Sequence, residues 1–286
     1  VIERRTFRAM GTEIELLVEA DGAAGALEAA EGEFHRLEAL LSRFREDSEL
    51  SRLNRDGALA AGPDLRRVVE LALAARERTG GRFDPTVHNA LVAAGYDRTF
   101  EDIASESHVR CQAPDVALGD ARVDGTRIEL DPGVRLDLGG IGKGYAAERA
   151  AEILATAGPC LVNAGGDIAV RGGRWPVGVE TAAEPLTLEL SRGGLATSGR
   201  DRRRWRRNGR DLHHLIDPRT GEPAETDLLR VTVIAPDAVE AEIAATSLFL
   251  AGADRAAREA DAAGVAAVLV TGDGRTIFAG GLARAA

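Results

Sequence analysis

"RLDLGGIGKGYAAERAAEIL", residues 135–154, places four glycines and a lysine between a strand-like end and an alanine-rich helix. Leu136 and Leu138 alternate with polar residues as in a strand, Gly139 to Gly144 reads as a turn, and apolar residues recur at helical spacing from Tyr145 onward. This is the layout of an anion site. Glycines let the backbone come close, a helix N-terminus offers unpaired N–H groups, and lysine adds a full positive charge. Neither common nucleotide fingerprint fits. A Walker loop needs glycine where Asp137 stands and a hydroxyl where Gly144 stands, and Gly140, Gly142 and Gly144 fall at G-x-G-x-G. By itself the stretch suits a structural glycine turn as well as a phosphate cradle.

Upstream, residues 115–138 read as a β-hairpin with Asp124-Gly125 as its turn. Downstream, "CLVNAGGDIAV" reads as a strand entering the middle of a sheet, with further strands near 174–180, 185–190 and 229–235. Nearer the start, Ile14, Leu16 and Val18 alternate with polar residues in a strand from Thr12 to Glu19, and helical spacing runs from Ala23 to Ser42. Ser48 is placed to cap a short helix, and a helix from about Leu65 to Arg78 is stopped by Gly80 and Gly81. Asp84 and Pro85 initiate a turn into another helix. Two late helices, from about Ala238 and Ala253, flank Gly252, and the strands "VAAVLVT" and "TIFAG" follow. Helices and strands intermix without strict alternation, which predicts an α+β fold of mixed sheets with flanking helices. With no repeat, low-complexity tract or Pro/Ser-rich linker, residues 1–286 read as a single two-lobed unit.

Composition excludes some functions. A formal charge of -10 repels a phosphate backbone, so general nucleic-acid binding is not expected. The basic run from Arg200 to Arg210 reads as a solvated strand face. Cys111 and Cys160, the two cysteines, lack metal-ligand spacing and read as isolated buried thiols. No apolar run approaches the ~18 residues of a transmembrane segment. The charged, strand-like start carries no leader, so the expectation is a cytoplasmic protein or the mature form of an exported one.

Four stretches carry polar groups that a core would not choose. "VNAGGDIAV" sets Asn163, Gly165, Gly166 and Asp167 in an apolar strand, and "LATSGRD" sets Thr197 and Ser198 at a strand-to-turn junction. "LHHLIDPRTGEP" puts His213 and His214 beside an Asp-Pro turn. In "EAEIAATSLFLAG", Glu242 and Thr246 stand four apart on one helix face, where a carboxylate and a hydroxyl suit a hard cation such as magnesium; a glutamate near the helix start, favoured by the dipole, is the plainer reading.

Taken in order, "AMGTEIEL", "LSRFREDSELSRLN", "GGRFDPTV", "LDLGGIGKGYAAERA", "LVNAGGDIAV", "ATSGRDRRRW", "HHLIDPRTGEPA" and "VTVIAPDAVEAEIAATSLFLAG" resemble the ApbE family of FAD:protein FMN transferases, across nearly the whole chain. The resemblance implies a deep FAD cleft. It implies FAD contacts from Met10, Phe44, Asn54, Arg82, Phe83, Asp84, Asp137, Lys143 and Ile216, and magnesium ligands from the Gly140 carbonyl, Glu242 and Thr246. His214 matches the histidine to which the family assigns a part in catalysis. The implied reaction moves FMN from FAD onto a threonine of an acceptor flavoprotein, with release of AMP; FAD hydrolysis and FAD storage are the alternatives. The chain departs from the family pattern at Glu242 and Glu148, where aspartate is usual, and at His88 and Asn89, where glycine and proline are common.

Overall fold

The computed structural model describes residues 1–103, 106–107 and 118–282. The chain opens with strands β1 (Ile2–Ala9) and β2 (Thr12–Glu19), helices α1 (Ala24–Leu41) and α2 (Glu49–Asp56), strand β3 (Ala58–Ala60), and helices α3 (Pro63–Arg78) and α4 (His88–Ala94). Strands β4 (Glu106–Ser107), β5 (Ala121–Asp124) and β6 (Arg127–Leu130) follow, then helix α5 (Gly142–Leu154) and strands β7 (Cys160–Ala164), β8 (Asp167–Val179) and β9 (Leu186–Gly199). Next come short strands β10 (Arg204–Arg207), β11 (Arg210–His213), β12 (Ile216–Asp217) and β13 (Glu222–Pro223). Strand β14 (Leu228–Ala235), helices α6 (Ala238–Ala251) and α7 (Ala253–Ala263), and strands β15 (Ala267–Thr271) and β16 (Thr276–Ala279) complete it. The chain forms two compact units, neither continuous in sequence: Val1–Leu37, Ile141–Gly199 and Thr226–Ala286 make the first, Glu38–Gly140 and Arg200–Glu225 the second.

The first unit is built on an antiparallel sheet of order β1-β2-β7-β8-β9-β14-β15-β16. Helices α5 and α6 pack on its strands and on each other. Most residues of α6 are buried, from Ala238 and Val239 through Phe249 and Leu250, which is the signature of a helix enclosed on all sides. Two glycines make that approach possible: a Cβ at Gly194 of β9 would stand 2.2 Å from the Ala238 nitrogen, and one at Gly144 of α5 would stand 2.7 Å from the Ala238 carbonyl oxygen. The "CLVNAGGDIAV" segment is a hairpin and not one strand. Gly165 and Gly166 adopt φ of 66° and 104° and turn β7 into β8, the left-handed pair that a two-residue hairpin loop requires. The strands expected near 174–180 and 185–190 are the far part of β8, which ends at Val179 past an irregularity between Arg171 and Trp175, and the start of β9 at Leu186.

In the second unit, Ser48 caps α2 by accepting the Ser51 N–H at 2.9 Å, and α3 ends at Thr79 before Gly80 and Gly81 in left-handed conformation. Sheets β3-β6-β5 and β11-β10-β4 and the ribbon β12-β13 belong to the same unit, and Ala90, Leu91, Tyr96, Trp205 and Ile216 form a buried cluster. The hairpin expected over 115–138 is confined to β5 and β6; residues 115–117 and Cys111 lie outside the described residues. Leu136 and Leu138 join no sheet. The Asn54 carboxamide replaces a neighbouring strand, donating to the Leu136 carbonyl at 2.8 Å and accepting the Leu136 N–H at 2.7 Å, while the Asp137 N–H donates to the Pro85 carbonyl at 2.8 Å. Among the described residues no helix is long and apolar enough to cross a membrane.

Candidate active site

In the first unit, Glu242 lies within α6 and does not cap it. Asp237 takes that role, its side chain accepting the Glu240 N–H at 2.8 Å. The Glu242 carboxylate is buried; Oε2 accepts the Gly144 N–H at 2.9 Å and Oε1 pairs with the Lys143 ammonium. So the Gly144 N–H at the start of α5 faces a carboxylate of the protein itself. Lys143 Nζ is also 2.8 Å from Asp167 Oδ2, at the residue that follows the Gly165-Gly166 turn. Burial, with the Asp167 charge added, pushes the Glu242 carboxyl up to about 7 while Lys143 pulls it down. One turn along the helix, Thr246 Oγ1 is 3.0 Å from Ser198 Oγ of β9. Met10 sits at the tip of the β1–β2 hairpin with φ of 53°, a left-handed conformation that non-glycine residues rarely adopt.

Glu148 plays a structural part. It accepts the Ala238 N–H at 2.6 Å and pairs with Arg171, so it anchors the first turn of α6 to α5 and β8. Burial raises its carboxyl pKa against the pull of these donors. The buried Cys160 thiol is pushed up to about 11 by desolvation, which makes it unreactive at neutral pH.

The second unit gathers aromatic and charged groups. Asp137 Oδ2 is 2.6 Å from Arg43 Nε, and Oδ1 accepts the Gly139 N–H at 2.9 Å. The Arg43 guanidinium lies 4.2 Å from the Phe44 ring centroid and 4.6 Å from that of Tyr96. Phe44 is 37% exposed and stands beside Tyr96, with ring centroids 5.8 Å apart. Asp84 accepts from the Thr86 N–H and hydroxyl at 2.8 and 2.7 Å and pairs with Arg76 at 3.0 Å, which fixes the turn that carries Phe83. A Cβ at Gly140 would stand 3.2 Å from the Phe83 ring. Arg82 closes the turn after α3, its N–H 3.4 Å from the Thr79 carbonyl, and Ile216 is buried. His88 is buried near Asp137 and Arg43, with desolvation lowering its pKa.

The two adjacent histidines separate. His213 is buried; its Nδ1 accepts the Leu215 N–H at 3.3 Å and its Nε2 donates to the Ala224 carbonyl at 3.1 Å. His214 is half-buried, with Nδ1 3.4 Å from the Arg203 carbonyl, a long contact in which the ring nitrogen donates and Nε2 is left as the basic position.

The ApbE family profile matches residues 10–269. The chain belongs to the ApbE family. A relative named FAD:protein FMN transferase in Treponema pallidum is 31% identical over 249 residues, 76% of this chain and 69% of that protein. One of the same name in Salmonella typhimurium is 30% identical over 258 residues, 82% and 73% of the two chains. The crystal structure of the ApbE protein from Thermotoga maritima matches with a TM-score of 0.86 and 26% identity, covering 98% of this chain and 97% of that one. Of the ApbE positions expected from sequence, Met10, Lys143, Glu242 and Thr246 stand in the first unit, and Phe44, Asn54, Arg82, Phe83, Asp84, Asp137, Gly140, His214 and Ile216 in the second. Asp167 stands out in the sequence as a polar group in an apolar strand, whereas Arg43 and Tyr96 do not stand out. The signal for Arg43 was its place beside Phe44, where an arginine buried against rings leaves no periodic trace.

Proposed function

We propose that this chain is an FAD:protein FMN transferase that uses magnesium and modifies a threonine of an acceptor flavoprotein. The observation that carries the reading is the buried Lys143–Glu242 pair with Thr246 one turn away, held in a chain of this family. Its donors are hard oxygens, which suit magnesium better than softer metals. Among the described residues no group of three or more His, Cys, Asp or Glu forms a complete metal cage, so part of the coordination falls to hydroxyl and carbonyl oxygens and to the substrate. When bound, magnesium offsets charge on the FAD pyrophosphate.

The chain's own residues do the rest. Lys143 supplies a second positive charge to the diphosphate, which matters most where water is excluded. Phe44, beside Tyr96 and over Arg43, offers an aromatic face for a flat ring. The acceptor threonine oxygen attacks the FMN phosphorus, the bond from that phosphorus to the bridging oxygen breaks, and AMP leaves with the electron pair. His214 takes the threonine proton at Nε2, the nitrogen its Arg203 contact leaves basic.

Intact-mass analysis after incubation with FAD, magnesium and a domain bearing a threonine acceptor motif tests this. The expected result is an acceptor mass gain of one FMN phosphoryl group, with His214→Ala slowing labelling about 100-fold or more. Free FMN without labelling would point to hydrolysis, and unchanged bound FAD to storage.

A further inference from the structure

Lys143 is the only lysine in 286 residues; every other basic side chain of the 36 Lys and Arg is arginine. At this one position the chain uses a compact ammonium in place of a planar guanidinium. That ammonium is itself unusually placed. It is 16% exposed, paired with a Glu242 side chain 4% exposed and 2.8 Å from an Asp167 side chain 5% exposed. Two buried carboxylates thus converge on one small monovalent cation. Asp167 Oδ2 is buried, and its contact with Lys143 is an ion pair outside hydrogen-bonding geometry; the atom has no hydrogen-bond partner among the described residues. Its backbone is fixed by the Gly165-Gly166 turn and by pairing with Ala164, so the hairpin sets where the carboxylate stands, and the Lys143 ion pair is the polar contact that Oδ2 makes.

Oxygens that converge on an ammonium nitrogen converge equally on a small divalent cation, which draws oxygen ligands to about 2.1 Å. We propose that Asp167 is a further ligand of the cation held by Glu242 and Thr246, and that the Lys143 ammonium stands in that cation's place until it arrives. The exchange conserves the ammonium's proton. Lys143 leaves the carboxylates with its charge intact, and that charge becomes available to an anionic diphosphate. Cation entry therefore releases the lysine that the phosphate needs. The inference rests on the cation assignment of the proposed function and not on flavin transfer itself.

The first test uses the wild-type, chelator-stripped protein without FAD. A trace of an amine-acetylating reagent is added with and without magnesium, and intact mass and peptide mapping read Lys143, which has no other lysine to compete with it. Acetylation should rise several-fold with magnesium; an unchanged or slower rate overturns the exchange. The second reads free Mn2+ by its electron paramagnetic resonance signal, again without FAD. Asp167→Asn should bind Mn2+ about ten-fold more weakly than wild type and Lys143→Met about ten-fold more tightly. Equal affinity in Asp167→Asn overturns the ligand assignment, and no Mn2+ binding by wild type overturns the cation site as a whole. If Lys143→Met does not fold, the acetylation result on wild type decides. Intact cation binding with no acceptor labelling would remove the flavin-transfer reading and leave this inference standing.

Discussion

The His213 ring accepts at Nδ1 from a backbone N–H and donates at Nε2 to a carbonyl, which fixes one neutral tautomer. Protonation would put a second N–H against the Leu215 N–H, and burial already lowers the pKa below 6.5. The unfolded chain therefore binds the proton more readily. This contribution to stability is complete above about pH 6.5 and is lost as pH falls toward the folded pKa, at no more than about 1.4 kcal/mol per pH unit. Urea denaturation from pH 5 to 8 should show His213→Gln less stable than wild type at pH 8, with a shallower loss below pH 6.5. The two histidines were visible in sequence as a pair; what separates them was not. His213 owes its role to Ala224, eleven residues away across a turn, and no local pattern encodes that contact.

Along the elements, the local signals were read well where local forces decide. The alternation of Ile14, Leu16 and Val18 gives β2 from Thr12 to Glu19, and the Ser48 hydroxyl caps α2. Local patterns do not carry partners that are distant in sequence. The segment around Leu136 looks like a strand, yet Asn54, 82 residues away, supplies its hydrogen bonds. The glycine-rich loop suits a structural turn as well as a phosphate cradle, and neither reading carries Glu242, 98 residues from Gly144, which takes the helix N–H. Gly144 has helical backbone, so its reason is space and not conformation. Gly144→Ala should push α5 from the start of α6 and cost about 1–3 kcal/mol, read by urea denaturation. It should also disturb Glu242, whose Oε2 would lie 3.0 Å from the new Cβ, so Mn2+ affinity should fall in the same variant. Gly11, whose Cβ would meet nothing within 4 Å, is the contrasting case: there a substitution strains only the left-handed turn.

For the molecule as a whole, the family and the α+β class were legible because eight motifs recur in order; two lobes were expected, but which separated segments make up each compact unit was not legible. The sheet of the first unit joins β9 to β14 across residues that belong to the second. A fragment ending at Gly199 keeps β1, β2, β7, β8 and β9 but lacks α6 and strands β14, β15 and β16. It should give no cooperative thermal transition by circular dichroism, whereas the full chain should. A cooperative transition in the fragment would show that the sheet does not need its later strands. The same interleaving bears on synthesis. During synthesis β9 leaves the ribosome ahead of β14, and until β14 follows it is a 14-residue edge strand with unpaired backbone groups and no α6 to cover it. The nascent chain therefore passes through a stage open to strand addition from a second copy, and holding back that association is a task for whatever factors attend it until β14 emerges.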